Sequence, residues 1–422
     1  MTMKKNVLAL AVSGGLVAAP MAATAAPEVY GLVDIGVESF NDSDGVAAGT
    51  IFGGLNSVDG TNSTDGFTSA SRSDAKDLEL TNGLQSNFGV RGSEEITGDL
   101  TASYKLEFAV DVLDEDGGTI GNAFGTRLGW AALGGDWGTV KVGSQWQPLY
   151  IFGGWNTHRT DVHGYGSYYY ATGELSNSLS FGFRQSSAIS YQYGNSPWGH
   201  SDPFAFNVTL AVGEGNTTSA AVTEDLDVVD GAGNPVVDEN GDPVRETRTI
   251  AEETDVTNEE GISSIQVAGQ YSFDKRISVN AVYVKEFNDF DRSQFNKASE
   301  AAAANREVQL INLGGRWSVT DALELGVNYT RVDRDAGDDD IRETLAIASF
   351  MDFGNGLSGH LGFANGSDDR AGVQEIDLNT YGYIKQALSD RTDVRLELEN
   401  IQFDNAQDSS ATVALVALQH NF

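Results

Sequence analysis

Cysteine is absent from all 422 residues. Disulfides and thiolate metal sites are thereby excluded, even for a chain exported to an oxidising compartment. Proline is almost as scarce, at 7 residues, whereas glycine reaches 49. Proline cannot donate to a β-ladder and glycine serves tight turns, so this balance suits many hydrogen-bonded strands with short connections. Basic residues are also few: 26 Lys and Arg stand against 61 Asp and Glu, a formal net charge of −35. Nucleic acid is not an expected partner, because phosphate binding needs a basic patch. Long apolar runs are missing beyond residue 26, the longest near the C-terminus being Val413 to Leu418. No transmembrane helix is expected there.

The first residues have a different character. Lys4 and Lys5 are the only charges before Glu28, Val7 to Ala19 is apolar, and Ala23-Thr24-Ala25 supplies small residues. This is the pattern of a secretory signal peptide over residues 1–25. Its apolar stretch falls short of the roughly 20 residues needed to span a bilayer, which argues against an anchor. Residues 26–422 are read as one domain, and loss of Lys4 and Lys5 takes its formal charge from −35 to −37.

What fills that domain is a period of two. Phe204, Phe206, Val208, Leu210 and Val212 alternate with Ala205, Asn207, Thr209 and Ala211. Leu323, Leu325, Val327 and Tyr329 alternate with Glu324, Gly326, Asn328 and Thr330, and residues 265–273, 376–385 and 394–399 behave alike. One face is apolar and the other polar, as in half-buried strands. A soluble sandwich also alternates, so the connections decide. Short turns near 95–98, 134–138, 195–203, 274–276, 320–321, 354–356 and 389–391 alternate strictly with long polar segments near 41–80, 113–125, 148–183, 214–262, 288–307, 333–342, 367–374 and 404–410. Fifteen connections join sixteen strands. Short turns at one end and long loops at the other describe an all-β, up-and-down antiparallel transmembrane barrel. A barrel of about sixteen strands leaves an aqueous channel. Phe204, Phe273, Trp317, Phe353 and Phe422 lie near the short turns, where an interfacial aromatic girdle is expected. The last strand alternates poorly, with Val413, Leu415 and Ala417 on the face opposite Ala414, Val416 and Leu418.

Several stretches resemble the general porins of Gram-negative bacteria. Glu28-Val29-Tyr30-Gly31-Leu32-Val33-Asp34 resembles their first strand, and Asn87-Phe88-Gly89-Val90-Arg91-Gly92-Ser93-Glu94-Glu95 their second strand and first turn. Gly138-Thr139-Val140-Lys141-Val142-Gly143 is similar to the fifth strand, and Arg184-Gln185-Ser186-Ser187-Ala188-Ile189-Ser190-Tyr191 to the segment leaving the constriction loop. The chain ends His420-Asn421-Phe422. The resemblance implies a homotrimer in the outer membrane, in contact with lipid and lipopolysaccharide, passing small hydrophilic solutes and ions by passive diffusion. It implies that residues 148–183 fold into the barrel as a constriction loop. It also implies that Phe422 is an assembly signal read by the barrel-insertion machinery. Relatives often line the wall facing that loop with Arg; here the matching positions are Asn87 and Ser144, and Arg184 is kept, helped by Lys141 and Arg91. A weaker positive wall, and a channel that is cation-preferring or nearly neutral, are the expectation. Glu107 joins the pore-lining set.

The proposed constriction loop carries His158, Arg159, Asp161, His163 and Glu174 among aromatic residues. Rings of charge at a narrow aperture set selectivity; such residues can equally anchor the loop to the wall. His158 and His163 do not have a recognised zinc-ligand spacing. The segment 214–262 holds fourteen Asp or Glu and two Arg, and a tandem repeat of period eight over 229–244 suggests two small outward hairpins. Asp238, Asn240 and Asp242 imitate part of a calcium loop, but Pro243 stands where Gly is needed. No metal or cofactor is expected. Neither a Gly-x-Ser-x-Gly elbow nor a His-Glu-x-x-His motif is present, so no catalytic residue is assigned and an outer-membrane hydrolase is disfavoured. The alternatives are a sugar- or dicarboxylate-specific channel on the same barrel and a secreted acidic adhesin or surface-layer protein.

The acidic segment is expected to be dispensable for folding, since each doubling of loop length adds only about 0.6 kcal/mol of closure cost. Deleting Leu226 to Glu253 should leave a conducting, heat-modifiable barrel. Loss of the heat-modifiable form on a denaturing gel would reveal a structural role for the segment.

Overall fold

Strands form wherever the alternation runs, and they stop where Gly, Asn, Asp and Ser gather. The structure, a computed structural model, describes residues 26–42, 78–82, 86–110, 112–113, 124–157, 184–194, 203–213, 221–227, 245–251, 261–287, 308–334, 341–368, 375–404 and 410–422. The proposed signal peptide lies outside the described residues. The first eight strands are β1 (Glu28–Asp42), β2 (Leu78–Asn82), β3 (Asn87–Thr97), β4 (Leu100–Val110), β5 (Phe124–Gly135), β6 (Gly138–Trp146), β7 (Arg184–Tyr193) and β8 (Phe204–Gly213). A separate hairpin comprises β9 (Ala221–Asp227) and β10 (Arg245–Ala251). The rest are β11 (Gly261–Phe273), β12 (Ile277–Glu286), β13 (Val308–Ser318), β14 (Leu323–Arg334), β15 (Ile341–Gly354), β16 (Leu357–Asp368), β17 (Glu375–Ala387), β18 (Thr392–Asp404) and β19 (Ser410–Asn421).

Seventeen of these make one antiparallel sheet. Each strand pairs with its neighbour in the chain, except that β2 and β3 both pair with β1 and that β8 skips the hairpin and pairs with β11. β2 and β3 lie end to end along β1, β2 against Ile35 to Ser39 and β3 against Glu28 to Leu32. They therefore fill one place in the wall, and sixteen places close the sheet when β1 meets β19 from Leu32↔Asn421 to Asp42↔Ala411. The short turns fit their residues. Between β15 and β16, Asn355 and Gly356 take φ 54° and 77°, the left-handed pair that a two-residue hairpin turn requires. Within 214–262 the paired strands β9 and β10 flank the tandem repeat, and the repeat itself lies outside the described residues.

The distribution of polarity is inverted relative to a soluble protein. On β13 Asn312 is 0% exposed and its neighbour Leu313 49%; on β14 Asn328 is 0% and Val327 44%; on β15 Thr344 is 2% and Leu345 52%. Asn, Thr, Gln and Ser line the inner face, while Val, Leu, Ile and aromatic residues coat the outside. Phe204, Phe273, Trp317, Phe353 and Phe422 are all about half exposed on that outer surface. An apolar exterior is unfavourable in water and favourable in hydrocarbon, where a closed barrel leaves no backbone group unpaired. Among the described residues no helix is long and apolar enough to cross a membrane.

The poor alternation of β19 has a cause in the seam. Val413, Leu415 and Ala417 face inward and are buried. Leu415 overhangs Gly36 of β1, where a Cβ would stand 2.5 Å from its Cδ1. Ala417 is short enough for Arg395 of β18 to reach across it to Asp34 of β1, Nη2 to Oδ2 at 2.6 Å. At the short-turn end of the seam Phe422 exchanges two backbone hydrogen bonds with Gly31, at 3.1 and 3.0 Å. Its ring covers the Gly31 Cα, so that a Cβ there would overlap the ring.

Deleting Phe422 removes both hydrogen bonds and an aromatic at the lipid interface. The heat-modifiable fraction should fall, and Gly31→Val, which displaces the ring, should lower it too. Equal levels in all three proteins would show that the seam does not depend on this contact.

Candidate functional site

The interior is organised around the segment that follows β6. Pro148 starts a π-helical turn over Leu149–Gly153, followed by a 3₁₀ turn over Gly154–Asn156. Both lie inside the barrel. Leu149, Tyr150, Ile151 and Phe152 are buried against Ala205 of β8, Ala268 of β11, Val282 and Val284 of β12, Val308 and Leu310 of β13, and Val332 of β14. Each side chain of this size contributes about 1.5–3 kcal/mol when fully buried. The wall is apolar on both faces here because one face meets lipid and the other meets this segment. Polar contacts extend the attachment. Gln266 donates to Gln147 Oε1 at 2.5 Å, and Asn156 donates to Asn280 Oδ1 at 2.7 Å. The Thr157 carbonyl accepts from Tyr381 Oη at 3.0 Å and from His360 Nε2 at 3.1 Å. His360 is itself stacked on Phe350, with centroids 4.4 Å apart. The segment thus runs along the inner wall from β11 to β17.

The inner face of β3 to β7 carries a cluster of cations. Arg91 grips Glu28 of β1 through Nε at 2.8 Å and Nη2 at 2.6 Å. Glu107 of β4 is a hub: it accepts from Tyr30 Oη at 2.8 Å, pairs with Lys105 Nζ at 2.7 Å and with Arg127 Nε at 2.7 Å. Arg127 of β5 and Arg184 of β7 both sit over Trp146, at 5.5 and 5.4 Å from its ring centroid. Trp146 in turn stacks on Tyr150 of the inward segment at 4.6 Å. Lys141 of β6 lies 4.6 Å above Trp130. These rings hold guanidinium and ammonium groups against the wall without neutralising them. On the other side of β1, Arg395 is paired with Asp34 and with Glu397, the latter through Nε at 2.5 Å.

Of the residues singled out from sequence, Arg91, Glu107, Lys141 and Arg184 lie together on this wall. Asn87 is buried on β3 beside them. Ser144 stands at a register irregularity of β6, and the adjacent Gln145 is the buried residue, accepting from Ser190 Oγ at 2.5 Å. His158, Arg159, Asp161, His163 and Glu174 lie outside the described residues, as does the loop beyond Thr157. Sequence reasoning missed Arg127, Lys105 and Trp146. It also missed the inward segment's apolar seat, which Val282, Val284, Val308 and Leu310 signal by interrupting the polar inner face.

Comparison with known proteins gives one sequence-family match, to a family described as Gram-negative porin, over residues 8–406. No curated protein matches the sequence. Among solved structures, an anion-selective porin from Comamonas acidovorans aligns at 16% identity and TM-score 0.57, covering 95% of this chain and 100% of that chain. Salmonella typhi OmpF in complex with daunomycin aligns at 13% identity and TM-score 0.58, covering 94% and 97%. The outer membrane channel DcaP of Acinetobacter baumannii aligns at 12% identity and TM-score 0.53, covering 94% and 97%.

Glu107 is nearly enclosed and offsets two cations. Glu107→Gln should therefore destabilise the barrel by about 3 kcal/mol, the lower end of the cost of removing one partner from a buried ion pair. The midpoint of thermal conversion on a denaturing gel measures this. An unchanged midpoint would mean that Lys105 and Arg127 are fully hydrated without it.

Proposed function

The chain belongs to the Gram-negative porin family, an outer-membrane channel for passive diffusion of small hydrophilic solutes and ions, and from that premise we propose how its lumen filters them. The observation that carries the proposal is the pairing of charges on the inner wall. Glu107 is matched with Lys105 and Arg127, Glu28 with Arg91, and Arg395 with Asp34 and Glu397. This part of the lumen carries both signs closely paired and is polar and wettable, while Lys141 and Arg184, held over Trp130 and Trp146, add positive charge beside it. It suits general diffusion better than capture of one sugar or dicarboxylate. The family and the fold speak for a channel and against an enzyme.

The finer assignments are part of the same proposal. Residues 1–25 serve as the export signal. Residues 148–183 form the constriction, with Arg184, Lys141, Arg91, Asn87, Ser144, Glu107, His158, Arg159, Asp161, His163 and Glu174 lining or flanking it. Phe422 is recognised during insertion, and lipid and lipopolysaccharide surround the barrel. The channel is a homotrimer. Support comes from the outer surface of β17, β18, β19, β1 and β2, where Ile384, Leu396, Leu398, Val416, Leu418, Val37 and Leu80 are exposed and Phe422 is the single outward aromatic among the described residues. An aromatic girdle belongs where a barrel meets the lipid interface, and a sector without one fits contact with other copies.

With much of the wall charge paired, the acidic loops weigh most in ion preference. Residues 214–262 carry fourteen Asp or Glu against two Arg, and such a vestibule concentrates cations. Its reach shrinks from about 10 Å at 0.1 M salt to about 3 Å at 1 M. Reversal potentials in a KCl gradient should show K⁺ preferred at low mean salt and little preference at high salt. Cl⁻ preference at low salt would mean that Arg127, Arg184 and Lys141 dominate the aperture.

A further inference from the structure

The inward segment is held at one point by a fit of shape as well as by apolar contact. Gly314 of β13 lies in register between Asn280 of β12 and Asn328 of β14. Asn156 places its side-chain amide directly above this glycine and donates to Asn280 Oδ1 at 2.7 Å. A Cβ at Gly314 would overlap the Asn156 amide nitrogen and lie 2.7 Å from Asn328 Oδ1. On the next strand, Gly326 receives the backbone carbonyl of the same residue: a Cβ there would overlap the Asn156 oxygen and lie 2.7 Å from its carbonyl carbon. Real Cβ atoms essentially never come closer than 3.0 Å to such neighbours. The notch is also rigid on its flank, since Asn312 donates to Asn328 Oδ1 at 2.8 Å and to Thr330 Oγ1 at 2.7 Å. One residue further on, Thr157 is caught by Tyr381 and His360.

We propose that Asn156 is a latch, and that Gly314 and Gly326 are the notch that receives it, so that this fit fixes how far the inward segment stands from the wall and thereby sets the aperture. Asn156 is a positioning residue for permeation and contacts no solute. The inference rests on the reading of residues 148–183 as the constriction. A side chain on either glycine lifts the segment away from β13 and β14 into the lumen. The two glycines differ in what they meet. Gly314 faces the Asn156 side chain as well as Asn328 Oδ1 and the Val327 carbonyl oxygen, whereas Gly326 faces the Asn156 main chain, so shortening residue 156 relieves part of the first conflict and none of the second.

The test is a set of single-channel recordings on the full chain, each variant first confirmed as heat-modifiable. Asn156→Ala, which leaves the wall untouched, should shift both conductance and the K⁺/Cl⁻ reversal potential from wild type. Gly314→Ala should shift them too, and by less when Asn156→Ala is already present. Gly326→Ala should shift them by as much in either background. Such non-additivity marks residues in direct contact. A Gly314→Ala effect of equal size in both backgrounds, or an Asn156→Ala channel identical to wild type, would overturn the latch while leaving the channel reading intact. If Gly314→Ala fails to fold, the Asn156→Ala recording alone decides. A wild-type protein that is silent in bilayers would overturn the channel reading and the latch together.

Discussion

Backbone hydrogen bonding is the constraint on which everything else in this barrel depends. Inside hydrocarbon no water is available, and each unpaired N–H or C=O costs several kcal/mol. A sheet there cannot have an edge, so its first and last strands must find each other. Here that join is made by eleven register pairs between β1 and β19, and three further contacts secure it. Phe422 closes the short-turn end over Gly31. Leu415 fills the space left by Gly36. Arg395 reaches over Ala417 to Asp34, tying β18 to β1 across the strand between them.

Once closed, the sheet has an inside and an outside with opposite demands, and the side chains divide accordingly. The outside is apolar because it meets lipid. The inside is polar because it meets water, except where the segment after β6 lies against it. There Val282, Val284, Val308, Leu310 and Val332 turn inward and give Leu149, Tyr150, Ile151 and Phe152 a dry seat. The remaining inner wall pairs some of its charges and holds others over aromatic rings. Glu107 gathers Tyr30, Lys105 and Arg127, and Trp146 takes two guanidinium groups on its ring. Attachment of the segment and arrangement of the wall charges meet at Trp146, which also stacks on Tyr150.

The barrel was legible in the sequence because both of its signatures are periodic. Alternation of residues marks the strands, and alternation of connection lengths marks their up-and-down order. The candidate site was less legible because it depends on breaks in period. Arg127 lies where the pairing of β4 with β5 slips, between Glu107 and Phe108. Counting residues by twos does not place it beside Glu107. In β6 regular alternation from Lys141 through Gly143 brings Gln145, not Ser144, into the buried network, and the extra residue lies on β7 between Gln185 and Ala188. Asp34 and Arg395 are 361 residues apart, and only the closed seam makes them neighbours. Apolar residues on both faces of β12 and β13 read as lapses until the inward segment is present to cover them.

The central claim is that the polar face encloses water and the apolar face meets lipid. Because the chain has no cysteine, single introduced cysteines report that division without background. Ser103 and Gln192 face inward, and Leu106 and Ile189 face outward. The decisive measurement is the rate at which a charged, membrane-impermeant thiol reagent modifies each of the four cysteine variants in lipid vesicles. Fast reaction at Ser103→Cys and Gln192→Cys, with slow reaction at Leu106→Cys and Ile189→Cys, is the predicted result. The reverse order, or equal rates at all four, would contradict a water-filled lumen.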